Sequence, residues 1–165
     1  MPTVSEQFTS YREFASASLE EIYGDRLDRA LELRANHLES GVWLNTTKGR
    51  EPLSFRWISL PWETQLSPVN AIASGDFDRD GKMELAIAQN HYSNQVETGL
   101  WRGHPGCHVE WELDQFQPIR PPVSGLFLPD DTKSILSLDS DGNGWQDILA
   151  GQNNDAVLLF RKLGQ

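Results

Sequence analysis

Acidic and amide side chains recur twice in this chain at the alternate spacing that a Ca²⁺ ion needs. Both copies read D-x-D-x-[DN]-G-x-x-[DE], and Asp139 follows Asp76 at an offset of 63 residues. Alternating oxygen ligands, a turn glycine and an acid at the ninth position predict a Ca²⁺ site in each loop. The first loop offers the side chains of Asp76, Asp78, Asp80 and Glu84 and the carbonyl of Lys82. The second loop offers the side chains of Asp139, Asp141, Asn143 and Asp147 and the carbonyl of Trp145.

The flanks of the two loops differ from those of an EF-hand. An EF-hand has a 12-residue loop with a bidentate Glu at position 12 and a helix on each side. Position 12 here falls on Ile87 and Ala150, which have no side-chain oxygen. Short apolar runs ending in turn residues follow both loops, as they follow buried strands. We therefore expect strand, nine-residue loop, strand in each copy, with the loop closing a β-hairpin.

The repeat extends beyond the loops themselves. At the same offset the flanks share Ile72 with Ile135, Ser74 with Ser137, and Gln89-Asn90 with Gln152-Asn153. Matching flanks favour an internal duplication over two chance acidic clusters. The alternative is that Asp-Gly and Asn-Gly here only mark hairpin turns. A repeat of this length is the size of one supersecondary unit in a repeat protein.

The elements around the loops divide the chain into a helical segment, residues 1–40, and a β region, residues 41–165. Thr3–Glu6 has the pattern of a capping box that starts a first helix, and Gly24 is a plausible end for that helix. Asp25 can cap a second helix, on which Leu27, Leu31 and Leu38 would lie on one face. The helical pair is expected to be a cap packed on the β region, the alternative being a partner-binding surface. The β region predicts strands at 42–45, 53–58 and 107–112, and the proline-rich stretch 117–130 predicts mostly loop.

Composition restricts the possible partners and compartment. The formal net charge of −10 and the pI of about 4.7 argue against nucleic acid or an anionic membrane surface as a partner. One cysteine, Cys107, allows no internal disulfide framework. No apolar run reaches the ~18 residues that predict a membrane-spanning helix, so no membrane insertion is expected. The N-terminus lacks the basic start and apolar centre of a signal peptide.

Other chemistry has weaker support in the sequence. The chain contains no G-x-S-x-G, no H-E-x-x-H and no phosphate-binding glycine loop. His104, Cys107 and His108 lie within five residues, but the spacing supplies no fourth zinc ligand, so a turn with incidental histidines is favoured. Six tryptophans offer either a sugar-stacking platform or, as we favour, packing between sheets. No catalytic residue is predicted.

The pattern resembles the FG-GAP/VCBS repeat, the blade unit of integrin-α-like β-propellers, most closely in proteins that also carry an ASPIC/UnbV segment. The resemblance covers residues of about 38 to 163. Besides the two loops it rests on Ser40–Asn45, Leu60–Pro68, Gln95–Gly99, Ser124–Pro129 and Leu158–Gly164. The last segment departs from the family, since Arg161–Gly164 replaces the usual Asn-x-Gly.

This resemblance implies a mainly β fold, a partial β-propeller of about two to two and a half blades with an N-terminal α-helical segment. It implies a non-catalytic calcium-binding module for protein–protein interaction or adhesion, with Ca²⁺ in a structural role at two sites. It also implies an extracellular or cell-surface location. The alternative is a carbohydrate-binding or hydrolytic domain on the same scaffold. The partner, protein or glycan, is not identified by the sequence.

An incomplete propeller would expose sheet edges and apolar faces, since closure takes roughly four to eight blades. Three arrangements are open. The chain is part of a larger propeller that supplies the remaining blades, or several copies associate as a homo-oligomer. In the third, the N-terminal helices cap a compact partial propeller, to which strands 42–58 contribute outer strands.

Overall fold

The computed structural model describes residues 6–162. The chain divides into two compact units, Met1–Leu38 and Glu39–Gln165. Thr3 of the predicted capping box and Gly164 of the last family-like segment lie outside the described residues.

The first unit contains short helices with well-defined caps. Helix α1 spans Tyr11–Ser16, α2 spans Leu19–Tyr23, and a 3₁₀ helix spans Gly24–Arg29. A capping box joins Ser18 and Glu21 at the start of α2, and Gly24, at φ 51°, ends α2 as the sequence predicts.

The predicted second helix through Leu38 is wrong. The 3₁₀ helix ends at Arg29, and residues 31–40 are in neither helix nor strand. Leu31 and Leu38 are both exposed, and none of the described helical residues of this unit is buried. A short helix without a buried face is marginal, because helical stability in proteins comes mainly from tertiary packing. The leucine spacing was therefore a misleading signal.

The second unit is mainly β, as predicted, with nine described strands in three antiparallel sheets. Sheet I consists of β1 Gly41–Asn45 and β2 Phe55–Ser59. Sheet II is a four-stranded meander of β3 Val69–Gly75, β4 Glu84–Gln89, β5 Cys107–Glu112 and β6 Gln115–Ile119. Sheet III consists of β7 Thr132–Leu138, β8 Asp147–Gln152 and β9 Leu158–Phe160. A 3₁₀ helix at Trp62–Gln65 and helix α3 at Pro121–Ser124 connect the sheets.

Sheet II is packed on both faces, because β4 is apolar on both sides. Leu85 and Ile87 point to one side, where they join a core with Val42 of sheet I. Ala86 and Ala88 point to the other side, where they join a core with sheet III. The second core consists of Phe77, Ala86, Ala88, Leu126, Leu128, Ile148 and Ala150, with Ala71, Ile135, Leu158 and Phe160 against it. The three sheets are therefore stacked in chain order.

The proline-rich stretch is only partly the predicted loop. Pro118 lies inside β6, opposite Val109 of β5, and Pro121 begins the short helix α3. Within its sheet, β6 is an edge strand, so the missing N–H of Pro118 costs no ladder hydrogen bond on its outer side. The prolines therefore lie in and after the edge strand of sheet II, and their density did not exclude a strand there.

Candidate metal centres

Each acidic loop closes a β-hairpin, as the sequence predicts. The first connects β3 to β4, with Gly75 opposite Glu84, and the second connects β7 to β8, with Leu138 opposite Asp147. The ninth-position acid is thus the first residue of the returning strand in both copies. This register places the acid at the base of the loop, where its carboxylate can contribute to the same ligand set as the loop side chains.

The backbones of the two loops follow the same path. At the fourth position Arg79 and Gly142 have φ of 65° and 75°, and at the sixth Gly81 and Gly144 have φ of 84° and 81°. Left-handed backbone at the sixth position explains the shared glycine. At the fourth position only the second copy has glycine, so the first holds Arg79 in a conformation that side chains disfavour.

The internal hydrogen bonds of the loops match as well. The sixth-position N–H donates to the first-position carboxylate, from Gly81 to Asp76 Oδ2 at 3.1 Å and from Gly144 to Asp139 Oδ2 at 2.8 Å. Three further backbone N–H groups donate to the same loop positions in both copies. The fifth-position N–H donates to the third-position side chain (Asp80 to Asp78 Oδ1, Asn143 to Asp141 Oδ1), and the seventh donates to the fifth (Lys82 to Asp80 Oδ1, Trp145 to Asn143 Oδ1). The second-position N–H donates to the ninth-position acid (Phe77 to Glu84 Oε2, Ser140 to Asp147 Oδ2). The two loops therefore share a backbone conformation as well as a sequence pattern.

The first loop brings three predicted ligands together. One oxygen each of Asp76, Asp78 and Glu84 lies within 4.8 Å of the other two, and among residues 6–162 this is the only such group of His, Cys, Asp or Glu. Asp76 Oδ1 is buried and has no hydrogen-bond partner in the described structure. A buried carboxylate oxygen without a donor is costly unless a cation satisfies it. The donor set is all oxygen, which fits a hard divalent cation such as Ca²⁺.

Asp80, also predicted as a ligand, is not in this group. Its Oδ2 lies 2.8 Å from Lys82 Nζ in an exposed ion pair, and its Oδ1 accepts the Lys82 N–H. That contact lowers the pKa of Asp80, first through the hydrogen bond from the Lys82 side chain. In this structure Lys82 therefore neutralises the exposed carboxylate of Asp80.

Glu84 is the buried floor of the first site. Its side chain is nearly inaccessible; Oε2 accepts the Phe77 N–H at 2.7 Å, and Oε1 lies 3.4 Å from His108 Nε2. Burial raises the pKa of Glu84, and the neighbouring carboxylates of Asp78 and Asp80 raise it further. Burial also lowers the pKa of His108. A cation beside Glu84 would favour its charged form, which burial and the neighbouring carboxylates disfavour.

The second loop has its carboxylates engaged by the protein itself. Asp139 Oδ1 accepts from Gly142 and Asn143 at 2.7 and 3.1 Å, in addition to the Gly144 contact on Oδ2. Asp141 pairs with Arg161. Both oxygens of Asp147 are used, Oδ2 by the amide and hydroxyl of Ser140 and Oδ1 by the Lys162 N–H at 2.9 Å. The structure does not bring these three acids together as it does those of the first loop.

Contacts between the two loops involve Arg79 and Trp145. The Arg79 guanidinium donates to the Gly144 carbonyl and stacks over the Trp145 ring, 4.1 Å from its centroid. Lys162 Nζ lies 5.8 Å from the same ring. The two loops are therefore neighbours at one end of sheets II and III, and the Trp145 ring has two cationic side chains beside it.

A cavity of about 430 Å³ opens between sheets II and III beside the first loop. Its polar wall includes Glu84, His108 and Glu110, and Arg161 and Lys162 also line it. Burial raises the pKa of Glu110, with Glu112 adding to the shift. The sequence did not predict this cavity, because His108 and Glu110 reach it only through the pairing of β5 with β4.

Among the described residues, His104, Cys107 and His108 are not brought together as a group of metal ligands. His104 Nδ1 lies 2.6 Å from the Gly106 carbonyl, whereas the His108 ring faces Glu84. Cys107 is buried in the core between sheets I and II, and burial, followed by the charge of Glu63, raises its pKa to about 12. This thiol is therefore neither a ready ligand nor a nucleophile.

No family model, curated protein or solved structure matches the chain. In the part of the chain that the structure describes, no helix has the length and apolar character to cross a membrane.

Proposed function

We propose that the chain is a non-catalytic, Ca²⁺-binding module of FG-GAP/VCBS type, in which the cation stabilises propeller-type blades for protein–protein interaction or adhesion. The observation that carries this is the convergence of Asp76, Asp78 and Glu84 around a buried, partnerless carboxylate oxygen. The matched backbone of the second loop supports a second site of the same origin. Sheet II, a four-stranded antiparallel meander, has the strand number and order of one blade.

The stack of two, four and three strands supports about two to two and a half blades. Each sheet packs face to face on the next, as blades do, with apolar side chains between them. The remaining blades would belong to a larger propeller or to further copies. By resemblance the module works outside the cell or at its surface, on a protein or glycan partner.

The structural role of Ca²⁺ follows from the charge of the first loop. Asp76, Asp78 and Glu84 place three carboxylates within 4.8 Å of one another, and their mutual repulsion opposes the hairpin. A ligand that binds the folded but not the unfolded chain raises stability by about 2.7 kcal/mol at 100 times its Kd. Ca²⁺ would thereby fix the β3–β4 hairpin at the centre of the sheet stack.

The test is thermal unfolding with Ca²⁺ and with EDTA, alongside isothermal calorimetry. We expect Ca²⁺ to raise the midpoint of the wild-type chain, and Asp76→Asn to remove most of that shift. Glu97→Gln is the matched control, because it removes one exposed negative charge away from both loops. Equal midpoints in Ca²⁺ and EDTA would refute the proposal.

The cavity favours a second candidate, a carbohydrate-binding or hydrolytic domain. It places Glu110 and His108 beside an apolar floor that includes Phe77 and Phe160. A glycan array and a hydrolase panel test this, with Glu110→Gln as the variant because Glu110 is outside the acidic loops. Glycan binding or hydrolysis that is lost in Glu110→Gln supports this candidate, and no signal on either assay removes it.

A further inference from the structure

A row of leucines crosses the outer face of sheet III. Leu136 of β7 is directly opposite Leu149 of β8, which is opposite Leu159 of β9. Leu136 and Leu159 are 56% and 46% exposed. The alternate residues Ile148 and Ala150 point the other way, into the core shared with sheet II. Sheet III is therefore apolar on both faces although only one is covered by the described chain.

The internal repeat shows what belongs on such a face. At the 63-residue offset Leu136 corresponds to Ala73 and Leu149 to Ala86. Ala73 and Ala86 are likewise paired, on the face of sheet II that sheet III covers. The outer face of sheet III is thus the repeat equivalent of an occupied sheet–sheet interface. Its leucines are larger than the corresponding alanines of sheet II, so they offer more apolar surface to a partner.

The opposite end of the stack presents the complementary face. Val42 and Ile58 of sheet I point toward sheet II. Their neighbours Trp43 and Phe55 are on the other face of sheet I and are 64% and 51% exposed. Each sheet in the stack uses one face toward the preceding sheet and one toward the next. Among the sheets of residues 6–162, none precedes sheet I in the stack and none follows sheet III.

We infer that the Leu136–Leu149–Leu159 row binds the Trp43 face of a second copy of this chain, head to tail. The inference rests on the blade-type stacking in the proposed function and is independent of its calcium. Because two different faces meet, the contact is heterologous, and repetition of it closes a ring or extends a filament. A large aromatic anchor such as Trp43 on an apolar row is the usual centre of a stable interface.

The experiment measures molar mass by size-exclusion chromatography with light scattering over low to high micromolar concentrations. We expect wild-type mass to rise with concentration. Leu136→Lys and Trp43→Lys should each weaken association by about tenfold or more, because each places a charge in an apolar contact. Leu113→Lys is the control, since Leu113 is 92% exposed at the β5–β6 turn. Unchanged circular dichroism shows that each variant is folded.

Mixing the two variants tests the head-to-tail geometry directly. Leu136→Lys keeps an intact Trp43 face, and Trp43→Lys keeps an intact leucine row, so the mixture should form a 1:1 complex that neither variant forms alone. A strict monomer, association unaffected by Leu136→Lys, or no complex on mixing would each overturn the inference. Running the series in Ca²⁺ and in EDTA separates the two proposals: a missing calcium shift with intact association refutes only the calcium site.

Discussion

The two acidic loops share a backbone but use their carboxylates differently. In the first, three carboxylates converge and one buried oxygen has no donor. In the second, Asp139 accepts three backbone N–H groups, Asp141 pairs with Arg161, and Asp147 is saturated by Ser140 and Lys162. The first loop thus keeps one buried carboxylate oxygen without a protein donor, whereas the carboxylates of the second loop are balanced by donors from their own chain.

This difference shows that the sequence motif determines where the carboxylate oxygens lie but not which donors or cations pair with them. Position nine is Glu84 in the first loop and the shorter Asp147 in the second. The residues after β9 supply Arg161 and Lys162 to the second loop, whereas the first faces the ring of His108, whose pKa is lowered by burial. We therefore expect the first loop to bind Ca²⁺ more tightly than the second.

The largest expected effect is on calcium binding by the first loop. Asp76→Asn should weaken it by at least about 100-fold, more than the loss of a residue that only contacts a metal ligand costs, because Asp76 carries the unpartnered oxygen. Asp139→Asn should leave this tighter site intact. Isothermal calorimetry on both variants measures the effect. Equal losses in the two variants would contradict the ranking of the loops.

His108 should have the next largest effect, as a positioning residue. Its Nε2 lies 3.4 Å from Glu84 Oε1, opposite the Phe77 contact on Oε2. Loss of an outer-shell partner typically costs 10–100-fold in metal affinity, and we expect about tenfold for His108→Ala.

His108→Gln, whose amide can donate to Glu84, is the matched variant and should recover part of the affinity. The measurement is Ca²⁺ affinity by calorimetry, with the affinity of the second loop as the internal reference. If Ala and Gln at position 108 behave alike, the imidazole is only filling space.

Local features of both loops were predictable from the sequence, whereas their environments were not. Spacing alone placed Asp76 and Asp139 in hairpin loops, because turn and strand signals act over a few residues. The contacts of Glu84 with His108 and of Asp141 with Arg161 join residues 24 and 20 positions apart. They depend on which strand pairs with which, and on β5 returning after a long excursion. The helical prediction through Leu38 failed for the same reason, since periodicity carries no information about a packing partner.

Without metal, the substitution in the second loop should destabilise the protein more than the substitution in the first loop. Asp139 holds three backbone N–H groups and Asp76 one, so Asp139→Asn should cost about 1 kcal/mol more unfolding free energy than Asp76→Asn in EDTA. Urea unfolding of both variants with chelator present measures this difference. Asp155→Asn, in the exposed β8–β9 turn, serves as the control. A larger cost for Asp76→Asn would mean that its carboxylate already stabilises the metal-free hairpin.

The smallest expected effect concerns the Asp141–Arg161 ion pair, which we predict to compete with calcium in the second loop. Arg161 neutralises Asp141 at an exposed position, and exposed pairs contribute roughly 0.2–1 kcal/mol. Arg161→Gln should therefore strengthen Ca²⁺ binding by the second loop by about two- to threefold, because the cation no longer displaces a guanidinium. The Asp76→Asn background isolates this site for calorimetry, and Arg120→Gln controls for the loss of one positive charge. An unchanged or weaker affinity would show that Arg161 orients Asp141 for the metal instead of competing with it, and the contrast between the loops would then depend on Asp139 and Asp147.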